Sequence, residues 1–135
     1  MISVGSVAIF VADLERSAAF YEQVVGLDVL ARIDTPEVRE VIVGARDKGS
    51  QLMLAHRRGA APLDPTSGFW KVYLDVDDVE GSFRRLVDAG AEVVAEPRLL
   101  ERWNLSIALV KDPDGYLLEL GQRHGDPAGT HPNTH

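Results

Sequence analysis

The sequence contains no cysteine among its 135 residues. That absence removes disulfides, thiolate metal sites and a cysteine nucleophile together, so any metal would have to be held by His, Asp or Glu. Basic residues are also in short supply: 14 Lys and Arg stand against 21 Asp and Glu, for a formal net charge of −7. A nucleic-acid footprint needs Lys and Arg clustered along one face, and the single basic knot, Arg57-Arg58, is too small to make one. Long apolar runs are missing as well. No stretch approaches the roughly 18 apolar residues of a membrane span, and the N-terminus lacks a basic segment followed by an apolar one. The expectation is a soluble, cytoplasmic chain with no nucleic-acid and no membrane partner.

What is present is a repeat. VADLERSAAF begins at Val11 and VDDVEGSFRR begins at Val76. Val11 and Val76, Asp13 and Asp78, and Ser17 and Ser82 are each 65 positions apart, and Gly26 and Gly90 are 64 apart. A chain of 135 residues is long enough for one core and too short for two independent ones, so the copies are expected to be halves of one fold.

Each copy reads β-α-β-β-β. In the first, residues 3 to 11 alternate with apolar Val7, Ile9 and Val11, Asp13 offers a helix N-cap, and Gly26 is placed to end the helix. Extended stretches follow at 28 to 33, 38 to 45 and 51 to 55. Residues 57 to 68 hold two prolines and two glycines and read as a linker. In the second copy the strand 71 to 76 precedes an Asp78-capped helix reaching about Ala89, with Gly90 after it. Strands are then expected at 91 to 95, 105 to 110 and 116 to 120, the last pair joined by the turn sequence Asp112-Pro113-Asp114-Gly115. The expected fold class is α+β. A single domain over 1–123 is divided into module one at 1–56, the linker at 57–68 and module two at 69–123, followed by a flexible tail at 124–135.

Strand alternation sorts the side chains by face. If Val7, Ile9 and Val11 pack under the helix, Ser6, Ala8 and Phe10 face the other way. By the same rule Gln51, Met53 and Ala55 oppose Leu52 and Leu54, Lys71, Tyr73 and Asp75 oppose Val72 and Leu74, and Leu117 and Glu119 oppose Leu118 and Leu120.

The segments VAIFVADLERSAAFYEQVVGL, VYLDVDDVEGSFRRLVDAGAEVVAEP and VKDPDGYLLEL resemble the vicinal oxygen chelate superfamily, and cover most of residues 3 to 122. That superfamily includes glyoxalase I, bleomycin-resistance proteins, fosfomycin-resistance enzymes and extradiol dioxygenases. The resemblance implies two β-α-β-β-β modules whose strands form a curved sheet around a cavity, commonly completed in a homodimer. In metal-dependent members it also implies four converging ligands, usually His, Gln or Glu, from the first and last strand of each module. Those positions fall here on Ser6, Met53, Lys71 and Glu119.

Only Glu119 is of the expected type. Divalent cations favour imidazole and carboxylate ligands, whereas this set offers a hydroxyl, a thioether, an ammonium and one carboxylate. The usual metal site is therefore expected to be absent, and no cofactor is expected. Asp75 and His56 are the conceivable substitute ligands, though alternation points His56 away. His124, His131 and His135 lie in or beside the tail and are expected to be solvated.

The remaining chemistry rests on Lys71 and Glu119. They either neutralise one another, or serve as an anion holder and an acceptor or base, the catalytic pair if there is catalysis. Phe10, Met53, Tyr73 and Leu117 add apolar and aromatic walls, and Trp103, in a loop before a strand, is the expected stacking tryptophan. Trp70, adjacent to Lys71, is expected on the opposite face.

Of three candidate functions, metal-free small-molecule binding is the expected one. One is a metal-free protein, similar to bleomycin-resistance proteins, that sequesters a small organic molecule, cationic and planar, in a dimer groove. Another is a glyoxalase- or dioxygenase-like lyase or oxidoreductase, with displaced metal ligands or with Glu119 as base and Lys71 as enolate stabiliser. The third is an interface module without a ligand.

Overall fold

The computed structural model describes residues 6–47, 49–64, 67 and 69–125. The expected start of the first strand at residue 3 and the tail beyond residue 125 lie outside them. The chain forms two compact units, Met1–Pro65 and Thr66–His135.

In the first unit β1 (Ser6–Phe10) leads into α1 (Leu14–Ala19), continued by a π-helical turn (Phe20–Val25), then β2 (Asp28–Asp34), β3 (Val38–Gly44) and β4 (Gln51–Arg57). The second unit runs β5 (Lys71–Asp75), α2 (Val79–Asp88), β6 (Glu92–Leu100), a 3₁₀ turn (Glu101–Trp103), β7 (Leu105–Lys111) and β8 (Leu117–Arg123). Each unit makes one four-stranded sheet, ordered β1-β4-β3-β2 and β5-β8-β7-β6. The first and last strands of each unit pair parallel, the others antiparallel.

The repeat is visible bond by bond. Asp13 accepts from Arg16 N and Asp78 accepts from Gly81 N, both at 3.1 Å, so each carboxylate satisfies a helix N–H that has no partner within the helix. Val11 N donates to Ala55 O at 2.8 Å and Val76 N to Gly121 O at 2.9 Å. Both helices end on a glycine in the left-handed region, Gly26 at φ 96° and Gly90 at φ 98°, a backbone that other residues adopt only with strain. Even the irregularities recur: β2 slips register between Val29 and Ala31, and β6 between Val93 and Ala95.

The helices differ in one respect. Tyr21 and Leu86 keep the 65-residue offset, whereas Gly26 and Gly90 are 64 apart. The first module thus fits one extra residue between those points, and the i→i+5 bond of Gly26 N to Tyr21 O at 3.1 Å accommodates it. An inserted residue widens one turn into a π-bulge rather than breaking the helix.

Leu54, Val41, Val43 and Tyr21 form the fully buried heart of the first unit, and Leu118, Leu120 and Val110 that of the second. Each buried leucine stabilises by about 2 kcal/mol through the surface it removes from water. Leu52 and Leu54 on β4, and Leu118 and Leu120 on β8, alternate with Met53 and Glu119. The helices pack on β3 and β4 in one unit and on β6, β7 and β8 in the other.

Three strand ends and one burial depart from expectation. Arg57 is the last residue of β4 rather than linker, β6 extends to Leu100, and β8 reaches Arg123. Val7 is 43% exposed instead of sitting under the helix, since only Ile9 and Val11 of that face reach the core. Among the described residues no helix is long and apolar enough to cross a membrane.

Candidate functional site

The parallel register sets the geometry of both candidate pairs. In the first module Ala8 lies opposite Met53, placing Ser6 one diagonal step away. In the second, Tyr73 lies opposite Glu119, with Lys71 at the same step. Diagonal neighbours on one face of a sheet are within reach of long side chains. Both pairs meet. Ser6 Oγ donates to Met53 Sδ at 3.7 Å, and Lys71 Nζ donates to Glu119 Oε1 at 2.7 Å.

The second contact is of another order. The Lys71 and Glu119 side chains are only 10% and 9% exposed, so a charge-assisted bond operates where water screens it little. The Trp70 ring lies over Lys71, its centroid 3.8 Å from Nζ, and the Tyr73 ring lies 5.0 Å away. This corrects the expectation that Trp70 faces away. Alternation governs residues inside a strand, and β5 begins at Lys71, so Trp70 is free to turn back over its neighbour.

Leu117 lies opposite Lys71 in the β5–β8 register and is half-buried. Trp103 closes the 3₁₀ turn after β6, with the Arg102 guanidinium 5.3 Å from its ring centroid. Phe10 is 42% exposed and carries the Arg57 guanidinium 4.4 Å from its ring, a partner that reading Arg57 as linker had hidden. His124 is not simply solvated. It is half-buried, its Nε2 is 2.7 Å from Ser106 Oγ, its backbone N donates to Asn104 O, and Asn104 Nδ2 donates to its carbonyl. Asn104, the one non-glycine residue with positive φ among those described, at 49°, shapes the turn that receives it.

The family resemblance implies a divalent cation among Ser6, Met53, Lys71 and Glu119. Each module's pair has closed on itself, hydroxyl to thioether and ammonium to carboxylate. The one carboxylate is engaged by a lysine, whose charge opposes that of a metal. The substitutes do not repair the set. His56 turns its Nδ1 to within 3.1 Å of Val11 O, and Asp75 is exposed at the end of β5. Among the described residues no three His, Asp or Glu gather as a metal cluster. The side chains present do not fit the metal.

Residues 3–120 match the model of the Glyoxalase/Bleomycin resistance protein/Dioxygenase superfamily. The chain belongs to this superfamily. Among its curated superfamily relatives, a "Probable lactoylglutathione lyase" of Synechocystis is 32% identical over 116 residues, covering 83% of this chain and 88% of the relative. The "Lactoylglutathione lyase" of Neisseria meningitidis serogroup B is 33% identical over 117 residues, covering 84% and 85%. Among solved superfamily folds, glyoxalase I from Zea mays superposes with a TM-score of 0.78 at 26% identity, covering 90% of this chain. This chain spans 45% of that maize protein. TnmS3, an antibiotic binding protein from Streptomyces, superposes with a TM-score of 0.72 at 26% identity, covering 92% of this chain and 98% of TnmS3. The superfamily thus joins a catalyst and a binder on one scaffold, and the fold alone does not choose between them.

Proposed function

We propose that this protein binds a small organic molecule without a resident metal, on the second-module surface built by Trp70, Lys71, Tyr73 and Glu119. The observation that carries the reading is the 2.7 Å Lys71–Glu119 ion pair, which engages the one carboxylate that the family's ligand positions retain. Ring faces beside a buried charge pair suit a flat organic ligand contacted through its faces. The antibiotic-binding relative TnmS3 supports the same class of activity. A homodimer belongs to this proposal: β1, β2, β5 and β6 are the outer strands of their own sheets, and outer strands need covering.

Calorimetric titration of the intact chain with a panel of planar organic compounds, cationic, neutral and anionic, tests the reading. Saturable one-to-one binding that weakens on Trp70→Ala supports it. Uniform failure to bind across the panel overturns it.

A second reading is a lyase, and the names of the curated relatives favour it more directly than they favour sequestration. Without a metal, the groups available are Glu119 as base and Lys71 as the cation beside a developing enolate. Turnover of lactoylglutathione that is lost on Glu119→Gln and impaired on Lys71→Met would establish it. Equal background rates in the three proteins would dismiss it.

A further inference from the structure

Lys71 Nζ is enclosed by electron-rich groups of the second module. Glu119 Oε1 is 2.7 Å away, and the Trp70 and Tyr73 ring centroids are at 3.8 and 5.0 Å. The arrangement follows from the chain itself. Tyr73 is two residues beyond Lys71 on the same face of β5, Glu119 lies opposite Tyr73 on β8, and Trp70 folds back from just outside the strand. Two aromatic faces, each the negative pole of a ring quadrupole, together with one carboxylate make a receptor for an ammonium group. An anion placed there would meet the Glu119 carboxylate. Trp70 is 65% exposed, so this wall of the receptor stands open to solvent. The lysine stem is four flexible carbons, which lets its head group leave without moving the strand.

We infer that Trp70, Tyr73 and Glu119 form a receptor for the ammonium head of an organic cation, and that Lys71 is its tethered occupant, displaced when the ligand arrives. The inference rests on the metal-free binding reading above and narrows the ligand to a cation. In the free protein Lys71 keeps Glu119 from becoming an unpaired buried charge. In the complex the ligand's own charge takes over that role, and the freed lysine extends into water. A tethered competitor acts at high effective concentration, so Lys71 sets the affinity threshold and its removal tightens binding.

The test is calorimetric titration of the intact chain with choline and with its uncharged carbon isostere, dimethylbutanol. Lys71→Met is expected to bind choline about tenfold or more tightly than the wild type, with no such gain for the isostere. The gain disappears in Lys71→Met/Glu119→Gln, and Trp70→Ala added to Lys71→Met weakens choline about fivefold. Should the methionine variant not fold, Lys71→Gln replaces it, since its amide still donates to Glu119, with an expected gain of about threefold. Choline and the isostere binding alike, or a choline affinity indifferent to residue 71, overturns the inference. Binding of uncharged planar compounds without choline binding removes the ammonium receptor and leaves the small-molecule reading standing. A stoichiometric metal that vanishes on Glu119→Ala removes both.

Discussion

Asp13 and Asp78 cap their helices with bonds of the same length, Gly26 and Gly90 end them with nearly the same φ, and a bulge follows at Val29 in one half and at Val93 in the other. Against that sameness stand the two diagonal pairs. At one backbone position the first module has a hydroxyl touching a thioether at 3.7 Å, and the second has an ammonium on a carboxylate at 2.7 Å. Caps, turn glycines and bulges are requirements of the backbone, and any sequence keeping this path must meet them. The diagonal pairs are not, so the halves are free to diverge there. The charged pair lies in the second module, where an aromatic ring from outside the strand also covers it.

The largest effect is expected from truncating the first member of each pair, which removes a charge only in the second module. Lys71→Met leaves the Glu119 carboxylate unpaired and nearly buried, and is expected to cost about 3 kcal/mol or more of stability in urea unfolding. Ser6→Ala, at the matching position, is expected to change stability by no more than about 0.5 kcal/mol. Equal losses from the two substitutions would contradict the distinction. Adding Glu119→Leu to Lys71→Met removes the stranded charge, and the double variant is expected to return to within about 1 kcal/mol of the wild type. Additive losses in that cycle would show that the pair is not coupled.

A subtler change tests the helices. Deleting Gln23 removes one residue from the π-helical turn and brings the first helix into register with the second, making the offset 64 throughout. The variant is expected to stay folded by circular dichroism with a loss of about 2 kcal/mol or less. Collapse of the fold would mean that the bulge is a requirement of the first module rather than an absorbed insertion. The smallest effects belong to the caps. Asp13→Ala and Asp78→Ala are each expected to cost about 1 kcal/mol, and a large inequality would show that one cap has a second role.

The repeat was legible in the sequence because its markers are local: a carboxylate before each helix, a glycine after it, and alternation within each strand. The change of offset from 65 to 64 was visible too, but a one-residue discrepancy does not say whether a loop or a helix absorbs it. The alternation rule brought out Lys71, Tyr73 and Glu119 and failed for Trp70, which lies one residue outside β5 and obeys no strand period. His124 was hidden for a similar reason. Its partner Ser106 is remote in sequence, and its position depends on the left-handed turn at Asn104, a backbone choice that an asparagine permits but does not announce.

An ammonium occupies the carboxylate that the family resemblance would assign to a metal. Elemental analysis of wild-type protein purified without chelators, alongside Glu119→Ala, tests it most directly. The expected result is zinc, nickel, manganese and iron all well below one equivalent per chain in both proteins. One equivalent in the wild type that disappears with Glu119 would contradict it.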